Sequence, residues 1–202
     1  MAGRACHHGK GPVKELIEKI FNESIQVKEK TLKANIDAIA QAVSEVTKAL
    51  QNNHKILIFG NGGSAADSQH IAAEFIGRFQ KERKSLPAIA LTTDSSILTA
   101  LSNDYGFENI FKRQIEGLGE KGDVAIGIST SGRSKNVIEG LKQAKATGLK
   151  TISLTGCGGG EVAKLSDIKL IVSSDVTARI QESHICIFHT ICELVEKNFS
   201  QS

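Results

Sequence analysis

Lys55-Ile56-Leu57-Ile58-Phe59-Gly60-Asn61-Gly62-Gly63-Ser64-Ala65-Ala66 decides the fold class. Its first half is a short, continuous apolar run ending in glycine. A strand with one wet face alternates apolar and polar residues, whereas this run does not alternate. Both of its faces are therefore covered, as in a parallel sheet. Its second half is a glycine- and serine-rich turn that leads into a helical pattern. Similar apolar runs recur at 87–91, 123–128, 150–154 and 168–172, and helical patterns fill the intervals at 64–79, 94–102, 107–117, 134–147 and 177–199. Strands alternating with helices predict an α/β fold, a doubly wound parallel sheet of about five strands flanked by helices. Right-handed crossovers then put the C-terminal ends of the strands on one edge, where such sheets bind ligands.

Ahead of this unit, residues 13–53 read as helix. Leu16, Ile17 and Ile20, then Leu32, Ile36, Ile39, Ala40, Val43, Val46 and Leu50, recur near a period of 3.6. Asn35-Ile36-Asp37 allows a break between two helices, although no glycine or proline enforces one. A helix that precedes the first strand has no sheet face assigned to it by a βαβ unit. Such helices pack across other subunits, so an oligomer is expected. Residues 1–12 read as a disordered leader, and 13–202 as a single domain that includes the N-terminal helices. Cys6-His7-His8 could ligate a metal, but it stands in the glycine-rich, unpatterned leader and reads as part of a disordered end. The tract Gly156-Cys157-Gly158-Gly159-Gly160 reads as a flexible loop after a strand.

Composition narrows the function classes. With 40% apolar and 23% charged residues the chain is an ordinary globular protein rather than a disordered one. A net charge of +3, with lysines interleaved among glutamates as in Lys28-Glu29-Lys30, gives no nucleic-acid-binding face. No apolar run approaches the roughly 20 residues of a membrane helix, and the N-terminus lacks the apolar core of a signal peptide. The four cysteines form no CxxC pair, and Cys186 and Cys192 fall within an apolar helical pattern. They read as reduced residues of a cytoplasmic protein.

Two strand ends carry donor-rich turns, Gly60-Asn61-Gly62-Gly63-Ser64 and Ser129-Thr130-Ser131-Gly132-Arg133-Ser134. Glycine lets the backbone approach a ligand, the hydroxyls donate, and each following helix start offers unpaired N–H groups to an anion. The second turn is a dense donor set for a phosphate monoester. Neither ends in the GKS/GKT of a Walker A loop, and neither carries GxGxxG in register, which disfavours a dinucleotide fold. A serine before a helix is commonly only an N-cap. Two such turns on one sheet edge favour a ligand.

The helix after the first turn carries Asp67, His70 and Glu74. His70 and Glu74 stand i,i+4 on one face, a spacing that suits two ligands of one metal, an acid/base pair or merely a weak surface ion pair. The C-terminal helix carries Arg179, Gln181, Glu182, His184, His189 and Glu193 within a largely apolar pattern, and polar groups so placed need partners. Gln181 and His189 are separated by about 12 Å of rise and about 80° of rotation, so one ion would meet them only midway. His184 lies closer to Gln181, and spacing does not choose between the two histidines.

These residues resemble a known family. Asn61-Gly62-Gly63-Ser64-Ala65-Ala66-Asp67-Ser68-Gln69-His70-Ile71-Ala72-Ala73-Glu74 is similar to the signature of the sedoheptulose 7-phosphate isomerases, members of the sugar isomerase (SIS) superfamily. So are Leu101-Ser102-Asn103-Asp104-Tyr105, the second turn, and Ala178-Arg179-Ile180-Gln181-Glu182 followed by His184 and His189. The resemblance runs from about residue 15 to 198 and excludes the leader. It implies conversion of sedoheptulose 7-phosphate to glycero-manno-heptose 7-phosphate through an enediolate, the first step toward a nucleotide-activated heptose for lipopolysaccharide or another surface glycan. It implies one zinc ion per subunit held by His70, Glu74, Gln181 and His189, which selects His189 over His184. It implies Glu74 as base and His189 as acid. Substrate contacts are implied for Asn61, Gly62, Gly63, Ser64, Asn103, Asp104, Ser129, Thr130, Ser131, Ser134 and Gln181. It also implies a homotetramer with active sites between subunits. The rival reading is a non-catalytic SIS protein resembling the replication-initiator-associating paralogue, a tetrameric protein-binding module. That group lacks the carboxylate and second histidine matching Glu74 and His189, and this chain has both. A third reading is a sugar-phosphate sensor, which binds without turnover.

Overall fold

The computed structural model describes residues 11–200. Cys6, His7 and His8, with the rest of residues 1–10, lie outside the described residues. The chain runs α1 (Gly11–Gln51), β1 (Ile56–Gly60), α2 (Gly63–Ile76), β2 (Ala88–Ala90), α3 (Ser95–Tyr105), α4 (Ile110–Leu118), β3 (Val124–Ser129), α5 (Lys135–Thr147), β4 (Lys150–Thr155), α6 (Gly160–Leu165), β5 (Ile168–Ile171) and α7 (Thr177–Glu196). All strand pairs are parallel, in the order β2-β1-β3-β4-β5. The expected doubly wound sheet is therefore present.

Two cores sandwich the sheet, and the period-2 geometry of the strands divides them. Ile56 and Ile58 of β1 and Val124, Ile126 and Ile128 of β3 face α1, α2 and α7. Leu57 and Phe59 of β1 and Ala125 of β3 point the other way, onto α4, α5 and α6. Burial on both faces is why these strands read as unbroken apolar runs. Buried Asp123 ties the start of β3 to β1: its carboxylate accepts the Lys55 backbone N–H at 3.0 Å and pairs with the Lys55 ammonium at 2.7 Å.

The helix α1 is continuous through Asn35-Ile36-Asp37, where a break was allowed. Asn35 explains why. Its buried amide donates to the carbonyls of Thr31 (2.8 Å) and Ile171 (3.0 Å) and accepts the Ile171 N–H (2.9 Å). The side chain thus satisfies the free edge of β5, which would otherwise be open to pairing with another chain. The 107–117 helix divides into a single 3-10 turn at Phe107–Asn109 and α4. The glycine tract after β4, expected as a loop, runs directly into the short helix α6. Among the described residues, no helix is long and apolar enough to cross a membrane.

One face of α1 stays out of the core. Val13, Leu16, Ile17, Ile20, Phe21 and Ile25 are each about half or more exposed, between 49% and 67%. Packing within this chain buries α1 chiefly from Val27 onward.

His184 lies on the buried face of α7 against β4. It is fully buried, and its Nε2 donates to the Thr155 carbonyl at 3.2 Å while Nδ1 has no partner. Burial pushes its pKa down to about 4, against a smaller upward pull from that carbonyl. The unfolded chain binds a proton here below pH 6.5, whereas the folded chain does so only near pH 4. The contribution is full above pH 6.5 and is lost as pH falls, amounting to roughly 3 kcal/mol over the whole window. Urea unfolding of the parent should therefore show stability declining steadily from pH 7 to pH 5. In His184→Gln that decline should flatten, and an equally steep decline in the variant would contradict the assignment.

Candidate active site

In a sheet of order 2-1-3-4-5 the connections leave β1 and β3 in opposite directions, opening a crevice beyond their C-terminal ends. Gly60 and Ile128 are register partners at that edge. Both donor-rich turns begin there.

The two turns are joined side by side. Asn61 donates to the Asn136 carboxamide oxygen at 2.9 Å, and Asn136 donates back at 2.7 Å. Gly62 adopts φ 56° as the residue preceding α2, and no side chain caps that helix start. Buried Ser64 lies in the first turn of α2, beneath the open backbone. A Cβ on Gly63 would collide with the side-chain amide of Gln181, so glycine is what lets α7 meet this turn. In the second turn, Ser134 precedes α5 but makes no capping bond. Its hydroxyl pairs instead with that of buried Ser129 at 2.8 Å, and the Ser131 hydroxyl accepts the Arg133 N–H at 3.3 Å. Ordinary helix capping therefore does not account for Ser134. Gly132 adopts φ 65°, and its carbonyl accepts the Val162 N–H of α6 at 3.0 Å. The close approach of Gly132 and Gly160 leaves no room for a side chain on either. The glycine tract after β4 thus supports the second turn.

Beside the first turn, α2 and α7 bring His70, Glu74 and His189 together, with ligand atoms all within 4.8 Å of one another. His70 Nε2 lies 3.0 Å from Glu74 Oε1, and the His70 and His189 rings meet edge to face with centroids 5.2 Å apart. Taken alone, the i,i+4 pair would be an ordinary surface contact. The arrival of His189 from a helix distant in sequence makes it a three-ligand cluster. Two imidazoles and a carboxylate are donors that suit a borderline cation such as zinc. Gln181, about two helical turns before His189, places its amide at Gly63. His184 takes no part in the cluster, being sealed beneath β4 as described above.

Neighbouring groups shape this region. Burial raises the pKa of Asp67, opposed by the His70 charge, and its Oδ2 is buried without a partner. Burial first, then the Glu74 carboxylate, pushes the Cys192 thiol up to about 12, so it stays protonated. Asn103 and Asp104 sit exposed at the end of α3, a helix that buries none of its residues. Asn103 donates to Asp104 at 2.8 Å, and neither bonds to the other site residues.

Sequence reading missed three participants. Asn136 is the partner of Asn61; its signal was its place two residues into α5 from Ser134. Arg83 and Glu196 form an almost fully buried ion pair at 3.3 Å. Glu196 stands seven residues after His189, on the same face of α7 and among apolar neighbours, and a buried carboxylate there had to have a partner. Nothing in the sequence pointed from it to Arg83.

The SIS domain model matches residues 20–156. The phosphoheptose isomerase of Aquifex aeolicus is 57% identical over 183 residues, covering 91% of this chain and 96% of that protein. Among solved structures, phosphoheptose isomerase from Neisseria gonorrhoeae is 45% identical with a TM-score of 0.86, covering 92% of this chain and 99% of that one. Its counterpart from Francisella tularensis is 39% identical with a TM-score of 0.88, covering 93% and 100%. These relatives do not favour the non-catalytic binding module. With a sugar-isomerase fold, paired donor turns and a His/Glu cluster beside them, the chain belongs to the phosphoheptose isomerase family of SIS-domain enzymes.

Proposed function

We propose that this chain isomerises sedoheptulose 7-phosphate to glycero-manno-heptose 7-phosphate, with Glu74 as base and His189 as acid. The observation that carries the reading is the convergence of Glu74 and His189 from separate helices beside the donor turns. The phosphate binds in the second turn, where Ser129, Thr130, Ser131 and Ser134 donate hydroxyls and the start of α5 offers N–H groups. Asn61, Gly62, Gly63, Ser64 and Gln181 hold the sugar along the first turn. Glu74 removes the C1 proton and returns it to C2, while His189 moves a proton from the C1 oxygen to the C2 oxygen. His70, Glu74, His189 and Gln181 would hold one zinc ion per subunit, which when bound polarises the carbonyl as a Lewis acid. Gln181, fixed against Gly63, keeps the sugar-binding turn in step with α7.

The assembly is a homotetramer with sites at subunit boundaries. The apolar face of α1 supports this, because it is left exposed by the single chain and is of the kind that subunit contacts cover. So does the exposure of Asn103 and Asp104, which would reach a site across such a boundary. The free thiols of Cys157, Cys186 and Cys192 fit a reducing cytoplasm. The product feeds synthesis of an activated heptose for lipopolysaccharide or a similar glycan.

Incubation with sedoheptulose 7-phosphate should yield the aldose phosphate; binding without turnover would make the chain a sensor instead. Glu74→Gln should lower kcat at least about a hundredfold while leaving binding of the sugar phosphate within about threefold. Turnover near the parent rate in that variant would remove Glu74 as the base. Chelation should abolish activity and zinc should restore it, and full activity in a preparation shown by elemental assay to lack metal would refute the zinc role. Light scattering should give a mass near four times the 21.6 kDa chain. Phe21→Asp should lower that mass, and an unchanged mass would take the α1 face out of the assembly.

A further inference from the structure

We propose that Arg83 and Glu196 are positioning residues: a buried brace that fixes α2 against α7 and so sets the geometry at His70, Glu74 and His189. The inference rests on the active-site reading above and extends it to residues outside the cluster.

An α-helix ends with unpaired carbonyls. At the end of α2 one side chain collects them. The Arg83 guanidinium donates to the carbonyls of Glu74 (2.7 Å), Phe75 (2.9 Å) and Gly77 (3.1 Å), and also to that of Lys84 (3.1 Å). The first of these is the backbone of the proposed base itself. Only a planar fork with several donors makes this set, because an ammonium is a single point charge.

The remaining side of the guanidinium faces α7. Arg83 Nε lies 3.3 Å from Glu196 Oε1, with the two side chains 1% and 3% exposed. The Glu196 carboxylate also accepts three successive backbone N–H groups, from Phe79 (2.8 Å), Gln80 (2.8 Å) and Lys81 (2.9 Å). Those three bonds fix the turn that carries Phe79, whose ring centroid lies 5.4 Å from that of His189. The circuit closes from the Glu74 carbonyl through Arg83, Glu196 and Phe79 to His189, which meets His70. Apolar residues in place of a buried ion pair often hold a fold equally well. Here both ions also satisfy backbone groups, and through those bonds they hold the end of α2 and the Phe79 turn at one place against α7.

Three variants test the brace: Arg83→Lys, Glu196→Gln, and Leu141→Ala as a control for destabilisation, since Leu141 is buried in the opposite core. Zinc affinity is measured by chelator competition well below each thermal midpoint, with inorganic phosphate binding as a second readout. Arg83→Lys and Glu196→Gln should weaken zinc binding by at least about tenfold and leave phosphate binding unchanged. Leu141→Ala should lower the midpoint without weakening zinc. Zinc affinity within about twofold of the parent in both brace variants overturns the proposal. If neither variant folds, Phe79→Ala is read against the same thresholds, because its ring lies outside the ion pair. If the parent itself does not bind zinc, the metal reading fails separately. The brace is then judged by the NOE between the His70 and His189 rings: loss in the variants supports it, and retention overturns it.

Discussion

Gly60 and Ile128 stand side by side where β1 and β3 end, and the segments that follow them part in opposite directions. That divergence leaves a space that no strand or crossover fills. The starts of α2 and α5 both open onto it, as helix starts after the parallel strands of such sheets do. The reciprocal Asn61–Asn136 amide pair then converts two separate turns into one surface. Everything polar in the site is arranged around this gap. The second turn follows β3, the first follows β1, and α7 reaches across to meet the first turn at Gly63.

Chemistry enters through a second constraint, the packing of α7 on α2. His70 and Glu74 are placed by the helix that the first turn starts, whereas His189 depends on a helix begun more than a hundred residues later in the chain. Burial of Ile187, Phe188, Ile191 and Cys192 holds α7 in the core beside Ile71 and Phe75 of α2. The same helix therefore holds a buried histidine that is neutral for structural reasons and a half-exposed one at the site. They are five residues apart and point in different directions, and that direction, not the residue type, separates their roles.

How much of this was legible in the sequence follows from range. The strands were legible because burial on both faces leaves a local mark, as in Lys55–Gly60. The donor turns were legible because glycine and hydroxyl residues cluster there. Spacing left His184 and His189 equivalent, because a rise and a rotation do not reveal which face of a helix meets which neighbour. The family resemblance implies His189, and it is His189 that lies with His70 and Glu74. The continuity of α1 was hidden because Asn35 breaks or caps helices in many settings. Here it is spent on the edge of β5, a partner remote in sequence. The Arg83–Glu196 pair was invisible for the same reason, since each residue looks like an ordinary solvated charge until the other is placed beside it.

The length of α1 has a consequence of another kind. At 41 residues it spans about 60 Å, longer than the domain it serves, and its early turns carry large apolar side chains into water. On the tetrameric reading, those turns are completed only by encounter with other copies. The folded state then gains a mass-action term, and dilution alone erodes its stability while every internal contact stays the same. On that reading concentration joins temperature and pH as a variable that sets how much of this protein is folded.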